Sequence, residues 1–281
     1  MDNINQIKRD SIGKLLLEAG KIKVEDTDAI LREQSKTGEK FGDIALKLGM
    51  VTKKDIDDIL SIQFDFPYLP KDTKDVDPMV VSAYEAFSIN VEQIRLLRGQ
   101  LLIRWFETNK SMLVLGARSK QGVSTIIANL AVSLAQLGKK TLIVDANMRS
   151  PYQNNLFKLI SKEGFSDILA SRAGLECIST FDGISNLNIL TAGTTPPNPL
   201  ELLNRQRLKD FVTQIEGTYD CILYDTPAVN EYSDSLALMS VIGGSLLIAR
   251  RHKANISDME KVMKEINLAR CKIIGAVLND Y

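Results

Sequence analysis

The apolar positions change rhythm along this chain, and the changes mark its parts. In the first sixty-odd residues they recur at helical spacing and stop at glycine: Leu15, Leu16 and Ala19 precede Gly20, and Ile44, Ala45 and Leu48 precede Gly49. The two blocks are copies. Ile12-Gly13, Gly20, Leu31 and Gln34 return as Phe41-Gly42, Gly49, Leu60 and Gln63, a constant shift of 29 positions, and a period of this size means a repeated supersecondary unit. Each copy predicts a helix, a glycine stop that takes the left-handed conformation cheaply, and a second helix. The second helices run over Glu25 to Gln34 and Lys53 to Gln63, with Thr52 as N-cap of the latter. Residues 1–66 are expected to form a small all-helical domain.

The rhythm then breaks. Pro67, Pro70, Pro78 and the charged run Lys71-Asp72-Thr73-Lys74-Asp75 predict a linker over residues 67–89. From residue 90 onward a helix is followed by short apolar runs alternating with helical stretches. Strands are expected at Met112–Gly116, Thr141–Val144, Leu187–Leu190, Cys221–Tyr224, Ser245–Ala249 and Ile273–Leu278. Helices are expected at Thr125–Leu137, Leu200–Ile215, Ser233–Val241 and Ser257–Leu268. This alternation predicts an α/β domain over residues 90–281, a doubly wound and mostly parallel sheet.

Composition narrows the function. Of 281 residues, 44% are apolar and 25% charged, enough for a buried core in a soluble protein, and the formal net charge of zero leaves no pull toward nucleic acid. Cys177, Cys221 and Cys271 have no CxxC spacing and read as buried hydrophobes of a reducing cytoplasm. His252, the one histidine, lacks the company that metal or triad chemistry needs. The start is polar, unlike a signal peptide, and no apolar run approaches the roughly 20 residues that span a bilayer. Membrane association is expected to come through a partner.

Three segments carry candidate chemistry, each after a strand-like run: Ala117-Arg118-Ser119-Lys120-Gln121-Gly122-Val123-Ser124-Thr125, then Asp145-Ala146-Asn147-Met148-Arg149, then Asp225-Thr226-Pro227. A strand, loop and helix N-terminus place backbone N–H groups around phosphates. Ser124 stands where a hydroxyl binds Mg²⁺, and Asp145 and Asp225 end strands at one sheet edge, where such sheets take ligands. A phosphate-binding loop carries Lys just before its Ser or Thr; here that place holds Val123.

The order of these elements resembles the bacterial tyrosine kinases of exopolysaccharide export, over about Asp77 to Tyr281. Asp145-x-Asn147-x-Arg149-x-Pro151 is similar to their second Walker element, Pro196-Pro197-Asn198-Pro199-Leu200-Glu201-Leu202-Leu203 to another block, and Asp225-Thr226-Pro227 with Asp234 to a third. Glu92-x-x-Arg95-x-x-Arg98 resembles the motif by which the family self-associates in a ring, and spacing of three sets these residues on one helical face. The resemblance implies ATP and Mg²⁺ as cofactors, with Arg118, Lys120, Gln121, Gly122, Val123, Ser124, Thr125, Asn147 and Arg149 at the nucleotide. It implies Ser124, Asp145 and Asp225 at the metal, and Asp145 and Asp225 in catalysis. A membrane chain-length determinant, or polysaccharide co-polymerase, is the implied partner that holds a cytoplasmic protein at the inner face of the membrane. Tyr281 is the most accessible candidate acceptor.

Departures from the family qualify this. Val123 removes the phosphate lysine, Asn147 replaces a second acidic residue, and the loop has only Gly116 and Gly122 near its ends. Losing one preorganised contact to a transition state costs about 10²–10³ in rate, so phosphoryl transfer is expected to be slow or absent. Three readings stay open: a tyrosine-kinase-like regulator, a non-catalytic adaptor in the same machinery, and a partitioning ATPase of the same superfamily. The Pro-Pro-Asn-Pro block and the Glu-x-x-Arg-x-x-Arg helix speak against the third. The N-terminal repeat resembles the helical domain of type II secretion and type IV pilus assembly ATPases, in some of which two repeats bind cyclic di-GMP through a basic residue two places before each glycine. Those places hold Ser11 and Lys40. Neither offers a guanidinium fork, so weak or undetectable cyclic di-GMP binding is expected.

Overall fold

The computed structural model describes residues 11–63, 68–69, 75–85, 87–204 and 206–280. The chain divides into two compact units, Met1–Tyr68 with Ala86–Ser88, and Leu69–Glu85 with Ile89–Tyr281.

In the first unit, the 29-residue repeat governs the helices. α1 (Ile12–Glu18) and α2 (Val24–Thr37) are copied by α3 (Phe41–Lys47) and α4 (Lys53–Gln63). Gly20 and Gly49 close the short helices at φ 65° and 69°. Beside them Lys21 N–H donates to the Leu16 carbonyl and Met50 N–H to that of Ala45, the reach-back bonds of a glycine-stopped helix. The core follows the same shift, since Leu15, Leu16, Ile22 and Ile30 are buried with Ile44, Ala45, Val51 and Ile59. The copies also interlock. A Cβ on Gly13 would lie 3.0 Å from the Phe41 ring, and one on Gly42 would lie 3.4 Å from Ile12. Thr52 caps α4 as the sequence predicts, its Oγ1 accepting from Asp55 N–H while Asp55 accepts from Thr52 N–H. Ser11 and Lys40 are the N-caps of α1 and α3.

The second unit is a seven-stranded sheet in the order β3-β4-β2-β5-β1-β6-β7. The strands are β1 (Ser111–Gly116), β2 (Thr141–Asp145), β3 (Ser179–Thr180), β4 (Leu187–Leu190), β5 (Cys221–Asp225), β6 (Gly244–Arg250) and β7 (Lys272–Asn279). All pairings are parallel except β3 with β4. β1, β2 and β5 are buried throughout, so they read as unbroken apolar runs. The six predicted strands are all present. β3, two residues long, has too little pattern to predict. The expected helix Leu200–Ile215 is two, Pro199–Leu203 and Gln206–Glu216, because Asn204 caps the first.

The predicted linker is corrected. Leu69, Val76, Val80 and Ala83 are buried in the core on one side of the sheet. Asn129, on the helix after β1 (α7, Val123–Gln136), accepts from Ser82 N–H at 2.9 Å and donates to the Met79 carbonyl at 2.9 Å. Gln136 on the same helix donates to the Ser82 carbonyl. Pro78 lies in a turn here, and the apolar residues around it fasten the segment to the domain; Pro67 and Pro70 lie outside the described residues.

Candidate functional site

Three chain segments meet at the carboxyl edge of the sheet. β1 ends in the loop 116–122, whose last residue Gly122 caps α7 at φ 90°. A Cβ there would sit 2.2 Å from the Asn279 amide, so both conformation and space require glycine. Asp145 ends β2 and Asp225 ends β5, and the two are register partners across neighbouring strands. Both are buried, at 0% and 1% exposure.

A pair of buried carboxylates needs donors. Asp145 accepts from the backbone N–H groups of Asn147, Tyr152 and Gln153 at 3.2, 2.9 and 3.0 Å. Asp225 Oδ2 accepts from Gln153 Nε2 at 2.7 Å. Burial pushes the Asp225 carboxyl up to about 6, with the Ser124 hydroxyl and the Gln153 amide pulling the other way. Burial, then the charge of Asp225, holds Asp145 well above the usual carboxylate range despite its three amide bonds. Asp225 Oδ1 and Gln153 Oε1 are buried and make no well-aligned hydrogen bond.

The loop itself is filled by the protein's own oxygens. Gln121 Oε1 accepts from Ala117 N–H at 2.8 Å and Arg118 N–H at 3.3 Å. Glu231, from the loop after β5, accepts from Ser119 N–H at 2.9 Å and from its hydroxyl at 2.6 Å. Arg118 forks onto buried Asp258 at 2.5 and 3.0 Å. Lys120 is exposed, with its backbone at φ 64° and its carbonyl held by Arg250. Val123 packs against Gly116 and the core beneath.

The sequence-predicted residues thus divide. Ser124 and Thr125 lie in the first turn of α7, and the Ser124 hydroxyl reaches Asp225. The Asn147 carbonyl turns onto Ser150 N–H, closing the turn after β2. Arg149 forks onto buried Asp234 at 2.6 and 3.1 Å and lies 4.4 Å over the Tyr232 ring. On α6 (Ile89–Leu101), Arg95 pairs with Glu92, while Arg98 donates to the Ser133 carbonyl at 2.8 Å on α7. Tyr281 lies outside the described residues. Gln153, Glu231 and Asp258 have no motif and reach the site from 29, 112 and 140 positions away. The one trace of Gln153 in the sequence is a polar residue just after Pro151, a turn ahead of Leu156-Phe157.

Residues 109–256 match the family model described as cellulose biosynthesis protein BcsQ. The chain is 32% identical over 212 residues to the putative tyrosine-protein kinase CapB of Staphylococcus aureus, covering 75% of this chain and 92% of that one. The chain belongs to the bacterial tyrosine kinase family. To the tyrosine-protein kinase YwqD of Bacillus subtilis it is 31% identical over 201 residues, 71% of this chain and 85% of the relative. The crystal structure of the chimerical protein CapA2B2 aligns with a TM-score of 0.69 at 29% identity, over 79% of this chain and 98% of that one.

The residues at this sheet edge fit magnesium better than they fit a polyphosphate. Mg²⁺ takes oxygen ligands, commonly one or two carboxylates with waters and substrate phosphates, and Asp225 Oδ1 and Gln153 Oε1 are two free buried oxygens beside Ser124. Among the described residues no group of three or more His, Cys, Asp or Glu side chains would hold a metal alone. At the phosphate end the lysine is absent and the amides of residues 117–119 already have acceptors.

Proposed function

We propose that this tyrosine kinase homologue is an ATP-binding regulator of exopolysaccharide chain length or export, working with a membrane co-polymerase that holds it at the inner face of the membrane. The observation that carries the nucleotide reading is the register pair Asp145 and Asp225 beside the α7 N-terminus and Ser124. Among the described residues no helix is long and apolar enough to cross a membrane, in keeping with recruitment by a partner. Bound Mg²⁺ would offset charge on the phosphates; Asp145, Asp225 and Ser124 would hold it, and Asp225 would orient the acceptor hydroxyl.

A specific observation favours a second reading, a catalytically degenerate adaptor in the same machinery. Gln121 and Glu231 occupy the amides that a phosphate needs, and Val123 offers no cation. Calorimetric titration of the full chain with MgATP separates the two readings. We expect weak binding by the wild type, at least tenfold tighter binding in Val123→Lys, and a further gain when Glu231→Gln is added, which removes one carboxylate from the loop. Autophosphorylation should rise in parallel, with mass spectrometry placing it at Tyr281 before Tyr224, whose ring is fully buried. Flat affinity and flat phosphorylation across the series would leave the adaptor reading.

The N-terminal unit is proposed as a protein-docking module. Ser11 and Lys40 as N-caps give it no paired guanidinium for cyclic di-GMP.

A further inference from the structure

Gln153 contacts Asp145 through its backbone and Asp225 and Ser124 through its side chain. Its backbone N–H donates to Asp145 Oδ2 at 3.0 Å. Its side-chain amide donates to Asp225 Oδ2 at 2.7 Å and to the Ser124 carbonyl at 3.1 Å. The residue is fully buried, on a four-residue helix (Gln153–Leu156) anchored by Leu156 and Phe157 in the core. Its Oε1 makes no hydrogen bond, and Asp225 Oδ1 makes no well-aligned one, although the Ser124 hydroxyl acts on that carboxyl.

Two orphaned oxygens side by side in a protein interior call for an explanation, because buried polar atoms are paired almost everywhere. Here the explanation is a shared geometry. The amide N–H of Gln153 takes up Asp225 Oδ2, so Oδ1 is the oxygen left over. Oε1 hangs from the same amide carbon as the nitrogen that holds the carboxylate at 2.7 Å. Both free atoms are acceptors, and an electropositive group would satisfy both.

We propose that Gln153 is the positioning residue of the divalent-cation site: it fixes which oxygen of Asp225 faces the cation, and offers its own Oε1 to the cation or to a water that the cation holds. The inference rests on the nucleotide–magnesium reading of this site and assigns it a donor that the motif residues do not supply. Partners that orient metal ligands are worth about 10–100-fold in affinity.

The test reads Mn²⁺ binding to the full chain by electron paramagnetic resonance, with and without ATP, so it does not depend on activity. Gln153→Met keeps the volume and removes both amide functions; Mn²⁺ affinity should fall at least tenfold. Gln153→Glu loses the N–H bonds but supplies an anionic oxygen where Oε1 was; Mn²⁺ should bind as tightly as in the wild type or tighter, while the metal-free protein melts earlier. Opposite signs in the two variants are the signature, since an amide that only braced the fold would be damaged by both. Gln153→Asn, which withdraws the amide by one methylene, should fall between them if Gln153→Met does not fold. Wild-type affinity in a natively folded Gln153→Met, or equal weakening in Gln153→Glu, overturns the proposal and leaves the nucleotide site standing. No Mn²⁺ binding by the wild type, with or without ATP, overturns both.

Discussion

The sheet edge buries two carboxylates as register partners, and this has a consequence for stability. A buried Asp225 with its carboxyl pushed up to about 6 keeps a proton that the unfolded chain releases near 4. Between about pH 4 and 6 the folded state therefore binds more protons, so this contribution to stability is greatest at the acid end and lost as pH rises through 6. At about 1.4 kcal/mol per unit the loss is on the order of 3 kcal/mol. On the proposed reading Mg²⁺ binds the ionised pair, so it should raise the melting temperature more at pH 8 than at pH 5. In Asp225→Asn both the pH slope and the Mg²⁺ increment should shrink; a Mg²⁺ effect independent of pH would show that the dyad does not hold the cation. Asp145, Asp225 and Ser124 were legible in the sequence because each follows a strand whose end fixes its place. Gln153, Glu231 and Asp258 were not, because a side chain that arrives across the fold leaves no local spacing. Arg118 and Arg149 were read toward the nucleotide, yet each is forked onto a buried aspartate. A sequence shows the cation but not the carboxylate that claims it.

Among elements, legibility followed burial on both faces. β1, β2 and β5 stand out as continuous apolar runs, whereas Gln153–Leu156 and Phe165–Leu169 are too short for any period to show. The proline-marked segment was misread because turn residues report backbone shape, and the burial of Val76, Val80 and Ala83 depends on α7 lying beneath them. The helical repeat was the easiest part, since a second copy tests the first. An ion pair joins the copies: Lys21 of the first reaches Asp55 of the second at 2.8 Å. The hydrogen bonds from Lys21 and Thr52 hold Asp55 at about 2, below the usual carboxylate range. Its unfolded value is higher, so its contribution is fully present above about pH 4 and is lost as pH falls toward 2. Acid should thus loosen the helical unit through this pair. Hydrogen exchange along α4 between pH 4 and 2.5 should speed up in the wild type, and Asp55→Asn should already exchange faster at pH 4 and change little below it. A wild-type profile flat over that range would assign the unit's stability to its apolar core alone.

For the whole molecule, the question is what covers α6. Ile89, Leu96 and Ile103 are exposed at 81%, 60% and 74%, and their spacing of seven aligns them in a stripe beside Glu92 and Arg95. Helical faces of this kind bury themselves against a partner. The Glu-x-x-Arg-x-x-Arg helix is expected, from its resemblance, to take part in self-association, and its charged residues are not equivalent in the structure. Arg98 is committed to Ser133 of its own α7, so its loss would disturb the subunit that carries the nucleotide loop. The apolar stripe with Glu92 is the part presented outward, and Arg95, its side chain 20% exposed, lies paired with Glu92 at its edge. We predict that Leu96→Glu combined with Arg95→Glu converts assemblies to monomers, because a buried charge and like-charge repulsion act together at the contact. Light scattering should show the drop in mass while circular dichroism stays native. Arg98→Glu should instead lower the melting temperature of the monomer by weakening its hold on α7. If the Leu96 and Arg95 double variant keeps the wild-type mass, α6 is a solvated face and assembly, where it occurs, runs through another surface.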